Sequence, residues 1–218
     1  MHLTDNQNAH VNELARNLEL RTGVEFQAAV VGKCDTYPEI PWKAFALGAS
    51  IGALASIVFH LLNPAWLTPW THLFSLAWTL GAGALAAVLT PFWPALARLF
   101  LDSQRADTES RQYAQGLFLE QELFRTPQRN AILMLIGLFE HRVVLLPDNG
   151  LDSRLKPEQI EAVIGCMRAH LRRGDHFEAL ASGITRLEVT LRATGFEGDP
   201  NTPDHIPDEL IQEKGAAS

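Results

Sequence analysis

Residues 34–50 read CDTYPEIPWKAFALGAS, and the chain changes character inside this stretch. Up to Lys43 it is polar and charged, with periodic apolar residues. After Lys43 no Asp, Glu, Lys or Arg appears until Arg98. All 18 basic and 25 acidic residues therefore lie outside positions 44–97. A normal soluble surface is joined to a segment with no formal surface charge, and two compositions in one chain imply two solvents.

Within the charge-free segment, residues 44–62 (AFALGASIGALASIVFHLL) and 71–92 (THLFSLAWTLGAGALAAVLTPF) are each long enough to cross a hydrocarbon core as a helix. The connecting NPAWLTPW has two prolines and is short enough for a tight helical hairpin. Leu, Ile, Phe and Val in the first span give it roughly −3 to −5 kcal/mol of insertion free energy, opposed by no charge. A hairpin packed in a soluble core would keep a polar face, and neither helix has one. All five tryptophans lie between 42 and 93: Trp42 and Trp93 at the outer ends, Trp66 and Trp70 at the turn, Trp78 within. That is the pattern of interfacial anchoring in a lipid bilayer.

Small and polar residues recur at i, i+4: Gly48, Gly52, Ser56 and His60, then Ser75, Thr79, Gly83 and Ala87. Such stripes let two membrane helices approach closely. His60 lies near the turn and reads as a neutral, satisfied histidine. Lys33, Lys43, Arg98, Arg105 and Arg111 flank the spans, whereas the turn has no Lys or Arg. The positive-inside rule then predicts two spans in the inner (cytoplasmic) membrane, both termini cytoplasmic and the turn outside.

The flanking sequence predicts a helix over 9–21, a strand over 24–31, a helix over 95–124, strands over 131–138 and 143–147 joined by the FEHR turn, and helices from Pro157 to Arg172 and from Asp175 to Gly195. Asp175 with Glu178 has the spacing of a capping box. A lone strand before the spans is unstable and must pair with those after them. The fold class is therefore α/β, a small mixed sheet sandwiched by helices with an inserted two-helix transmembrane hairpin. Residues 1–42 and 98–195 form one discontinuous cytoplasmic domain, 43–97 the hairpin, and the Pro/Asp/Gly-rich 196–218 a flexible tail.

The net charge of −7 and the absence of a dense basic cluster exclude nucleic acid as a partner. The N-terminus lacks the apolar core of a signal peptide. Cys34 and Cys166 form no CxxC pair and read as free thiols. No GxSxG, HExxH, phosphate-binding loop or GxGxxG occurs, and no Cys/His pair has metal-ligand spacing. Polar groups cluster at strand ends, where open α/β sheets bind ligands. Asp35, Tyr37 and Glu39 follow the first strand, Arg142 lies in the hairpin turn, and Asp148 and Asn149 follow the third strand. These are the candidate binding residues. The same Asp/Pro/Asn/Gly composition also serves turns for backbone reasons.

The run RNAILMLIGLFEHRVVLLPDNGL followed by RRGDHFEALASGI resembles the TPM-domain family, and the hairpin after TYPEIPW resembles a bacterial membrane-anchored branch of it. The resemblance is best over 125–194 and weak over 9–35. It implies an α/β sandwich, and phosphatase activity with divalent-cation binding is attributed to some members. The chain departs from the family at Arg129, where an acidic residue is usual, and at Ala131, where glycine is usual; the early acidic motif survives at most as Asp5. Expected is therefore a non-catalytic binding, assembly or quality-control module with no cofactor or metal and a membrane-associated protein partner. The alternative is a weak phosphatase-type hydrolase using Asp148, Asp35, Glu39 and a divalent cation.

Overall fold

The computed structural model describes residues 3–63, 69–151, 154–198 and 209–216. Contacts divide the chain into two compact units, Met1–Asp35 with Ala106–Ala217, and Thr36–Arg105. The sequence placed these boundaries at 42 and 98. Among the described residues the class is mixed α/β, with seven helices and one four-stranded mixed sheet of order β3-β2-β1-β4.

In the first unit, α1 (Asp5–Thr22) starts four residues earlier than its apolar periodicity, because Thr4 and Gln7 form a reciprocal capping box. It ends at Gly23, whose φ of 68° closes the helix in the left-handed conformation. β1 (Glu25–Val31) follows at once and is buried along its whole length. β2 (Ala131–Gly137) lies parallel to it in full register, from Glu25 opposite Ala131 to Val31 opposite Gly137. β3 (Arg142–Pro147) returns antiparallel to β2.

Side chains alternate across this sheet with period two. Phe26, Ala28, Val30, Ile132, Met134 and Ile136 face one layer. There they pack with Val11, Ala15 and Leu18 of α1, Val163 and Met167 of α6 (Pro157–Arg173), and Leu180, Ile184 and Leu187 of α7 (His176–Ala193). Ala29, Val31, Ala131, Leu133 and Leu135 face the other layer, against Ala114, Leu117 and Phe118 of α5 (Ser103–Glu120) and Leu123 in the 3-10 turn after it. Helices on both faces explain why β2 is a continuous apolar run.

Two details differ from the periodicity. The helix expected over 95–124 is broken: α4 (Pro94–Arg98) stops, and α5 starts anew at Ser103. The Asp102 carboxylate accepts the Arg105 amide N–H at 3.0 Å and caps the new start. Asp175 precedes α7 but makes no side-chain capping bond, so the capping box expected there is not formed.

The C-terminal tail is the larger correction. Residues Ile211–Glu213 form β4, parallel to the outer edge of β1 with Ala29 opposite Ile211 and Val31 opposite Glu213. A bare β1 edge would leave main-chain donors and acceptors unpaired, and the tail covers them. The part of the expected flexible tail at 199–208 and 217–218 lies outside the described residues.

In the second unit, α2 (Glu39–Leu62) and α3 (Pro69–Leu89) pack as a helical hairpin. Trp66 and residues 64–68 of its turn lie outside the described residues. The small-residue stripes meet: a Cβ on Gly48 would lie 2.7 Å from the Ala82 carbonyl, and one on Gly83 2.9 Å from the Phe45 ring. Ser75 donates to the Thr71 carbonyl at 2.8 Å, which leaves its oxygen to accept from His60 Nε2, also at 2.8 Å. Both helices are long and apolar enough to cross a membrane, with mean hydropathy 2.0 and 1.6, and only 6% of either apolar window is buried. Phe92 is 80% exposed and Leu62 76%. A core helix of a soluble protein would be mostly buried.

Candidate functional site

The sheet topology sends the two sets of candidate residues in the α/β unit to opposite ends. Asp35 follows the C-terminal end of β1, the end at which β2 stops and β3 begins with Arg142. Asp148 and Asn149 follow the end of β3, beside the start of β2. Seven strand residues at about 3.3 Å each put these ends roughly 20 Å apart. Asp35 and Asp148 therefore do not converge, and neither do Arg142 and Asp148. Tyr37 and Glu39 lie in the other unit. Tyr37 is buried with φ 49°, and Arg105 stands 5.9 Å from its ring centroid and pairs with Glu39 at 3.2 Å.

At the N-terminal end of β2, Asp148 is 4% exposed. Its carboxylate accepts two parallel bonds from Arg129, from Nε at 2.8 Å and from Nη2 at 2.9 Å. A third comes from the Asn149 amide N–H at 2.8 Å. Arg129 reaches this geometry from a left-handed backbone with φ 54°. Gly150 donates to the Arg129 carbonyl at 2.9 Å, and a Cβ there would sit 2.5 Å from that oxygen. The DNG turn is thus written by a close backbone approach. Beside it the Asn130 side chain donates to the Gly23 carbonyl at 2.5 Å, tying the start of β2 to that of β1.

The resemblance implied a divalent cation, and these residues do not fit one. Both oxygens of the only candidate carboxylate at this end already face a guanidinium fork, a fixed positive charge where a cation would bring its own. Among the described residues no three His, Cys, Asp or Glu side chains come together to ligate a metal ion. Arg129 was legible as a departure from the family pattern, but not as the partner of Asp148.

At the other end of the sheet a buried polar cluster joins β1, β2 and α5. The Cys34 amide N–H donates to Glu140 at 2.8 Å, and both residues are buried. Ser110, fully buried on α5, lies beside the Cys34 thiol and offsets part of its shift. Burial first, then the Glu140 carboxylate, pushes the Cys34 thiol up to about 12, so it is no nucleophile near neutral pH. Arg142, expected in the hairpin turn, is the first residue of β3 and pairs with Asp107 of α5. Tyr113 of α5 donates to Glu213 of β4 at 2.5 Å, and burial followed by that bond raises its phenol. A cleft of about 320 Å³ opens nearby, lined in part by Gln7, Val30, Leu138, His176 and Gln212. Burial lowers the His176 imidazole, so it is mostly neutral at pH 7. Glu140, Tyr113 and Glu213 carried no signal in the sequence, because each acquires its role from a residue distant in the chain.

Two outcomes follow. Arg129→Ala leaves the Asp148 carboxylate buried without its countercharge and lowers the melting temperature by about 4–8 °C. Arg129→Ala combined with Asp148→Asn recovers most of that loss, and differential scanning fluorimetry reads both. The second is alkaline sensitivity. Cys34 and Tyr113 are raised above their ordinary values of 9.0 and 10.0, so the folded chain keeps protons that the unfolded chain releases. Their stabilisation is complete below about pH 9 and is lost as pH rises towards 12. Melting temperature measured from pH 7 to 11 falls less steeply in Cys34→Ala and Tyr113→Phe.

Comparison of the sequence with curated proteins returns no match. Among solved structures, the NMR structure of the BA42 protein from the psychrophilic bacterium Bizionia argentinensis is similar, with a TM-score of 0.58 and 11% identity, over 97% of this chain and 96% of that one. At that identity the likeness shows the fold alone. The family model described as TPM domain matches residues 98–190, which run from the end of the charge-free segment through β2 and β3 into α7. Residues 98–190 are therefore similar to the TPM domain, within a chain whose fold is shared with the BA42 protein.

Proposed function

We propose that this chain is a membrane-anchored TPM module that binds and assembles a protein partner at the cytoplasmic face and does not catalyse. Helices α2 and α3 are the anchor in this reading. Their exposed apolar surface suits lipid, and Lys43 and Arg98 at the outer ends favour the cytoplasmic side. The two termini are then cytoplasmic in a two-span inner-membrane protein.

The observation that carries the non-catalytic part is the Arg129–Asp148 pair. Phosphoryl transfer needs positive charge placed where negative charge develops on the substrate. Here the positive group is consumed by an internal carboxylate, and the carboxylate by it. The remaining acid in this unit's candidate set, Asp35, lies at the far end of the sheet. The hydrolase alternative needs these acids together.

The test uses the full chain in mild detergent. Millimolar Ca²⁺, Mg²⁺ or Mn²⁺ leaves the melting temperature unchanged, and phosphomonoester hydrolysis is no higher than in Asp148→Asn. A cation-dependent rise in melting temperature, with turnover lost in that variant, makes the chain a hydrolase. For the anchor, reporter fusions place residues 63–70 outside and both termini inside; a turn reached only from the cytoplasm contradicts it.

A further inference from the structure

We propose that the outer edge of β1 is a docking site for an extended segment of a protein partner, and that the chain's own residues 209–216 occupy it as a releasable strap. This rests on the binding reading above and names what is bound.

The strap is held by groups that belong to other elements. Its main chain is read at four points. Gln27 Nε2 donates to the Glu209 carbonyl at 2.7 Å, and the Leu210 amide donates to Asn12 Oδ1 at 3.1 Å. The Gly32 amide donates to the Glu213 carbonyl, and the Ala216 amide to the Lys33 carbonyl, both at 2.9 Å. Two of its side chains are read as well. The Gln212 amide donates to Asn8 Oδ1 at 2.8 Å and accepts the Leu3 N–H at 3.2 Å. Glu213 accepts from the Tyr113 hydroxyl. Leu210 packs on one core layer and Ile211 on the other. Asn8, Asn12, Gln27 and Tyr113 thus form a receiver for one extended strand running parallel to β1.

The strap itself is slight. Only three residues form the ladder, and all three are half-buried. Residues 199–208, DPNTPDHIPD, connect it to the end of α7 and contain three prolines. Ten residues reach up to about 33 Å. The Gly198 amide is fixed to the Arg21 carbonyl, and Glu209 is fixed beside Gln27. Those two points are separated by roughly 13–20 Å along β1. That separation is shorter than the reach of ten residues, so release of the strap does not require α7 to move. Once it leaves, β1 presents a row of unpaired main-chain groups, the surface to which an extended peptide adds as a strand.

The receiver also sets the partner's chemistry. The segment enters parallel to β1. It carries an apolar residue at the Ile211 position, a carboxamide next, then a carboxylate for the Tyr113 hydroxyl. Two residues later it needs glycine: Gly215 has φ 77°, and a Cβ there would lie 1.9 Å from the Lys33 carbonyl.

The experiment uses the full chain in detergent and a fluorescent peptide of residues 208–217 as probe, read by anisotropy. In the wild type the resident strap is present at high effective concentration and competes. Gly215→Val expels the resident strap, and so does the combination Gln212→Ala with Glu213→Gln, by a different route. Both bind the peptide about tenfold more tightly than the wild type. Adding Tyr113→Phe to either weakens binding several-fold. Equal binding in all chains, or no binding in both strap variants, overturns the proposal. A wild-type dimer that becomes monomeric in Gly215→Val makes a second copy's tail the occupant and also overturns it. Peptide binding is independent of cations and of turnover, so its failure leaves the non-catalytic reading to its own test.

Discussion

The parallel pairing of β1 with β2 is the contact on which the rest of the structure depends. Seven residue pairs, Glu25–Ala131 to Val31–Gly137, join two pieces of chain separated by residues 32–130. Parallel strands cannot be joined by a tight turn; they need a long crossover. A crossover tolerates length, because each doubling of a loop adds only about 0.6 kcal/mol of closure entropy. The compact unit Thr36–Arg105 sits within that crossover. Without the pairing β1 would keep only the three-residue ladder to β4, too little sheet for α1 to cover.

The same pairing dictates where polar groups can act. A sheet buried on both faces offers only its ends and edges to ligands. Here the two ends are differently equipped. One carries Asp148 held by Arg129 and Asn149, a closed electrostatic unit that fixes the end of β3. The other carries Cys34, Glu140, Ser110 and the Tyr113–Glu213 bond, which tie β1, α5 and β4 together. An ion pair whose carboxylate is buried does not by itself add stability, because desolvation of that carboxylate offsets much of the attraction. Its consequence is geometric: it specifies one conformation for the turn and leaves the carboxylate without a free edge.

Much of this was legible in the sequence where periodicity or charge is local. The charge gap from 44 to 97 marked the hairpin, and its small-residue stripes marked the faces that meet at Gly48 and Gly83. The apolar run at 131–137 marked a strand buried on both faces. What escaped depends on residues far apart in the chain. Arg129 finds Asp148 only because its backbone adopts a left-handed conformation that no residue pattern announces. Arg142 of β3 finds Asp107 of α5. β4 is three residues beyond a Pro- and Asp-rich stretch, and the groups that make it a strand, Asn8, Asn12, Gln27 and Tyr113, are supplied by the receiving elements. The break before α5 was carried by one residue, Asp102, acting as a cap.

Native-state hydrogen exchange on the full chain in detergent tests the shared sheet most directly. If β1 and β2 form one cooperative unit, the amides of Ala28–Val31 and of Leu133–Ile136 open with the same free energy and respond alike to denaturant. Exchange of the β1 amides at near-unprotected rates, while those of β2 and β3 stay protected, would show that the two halves of the chain fold separately and would contradict the account.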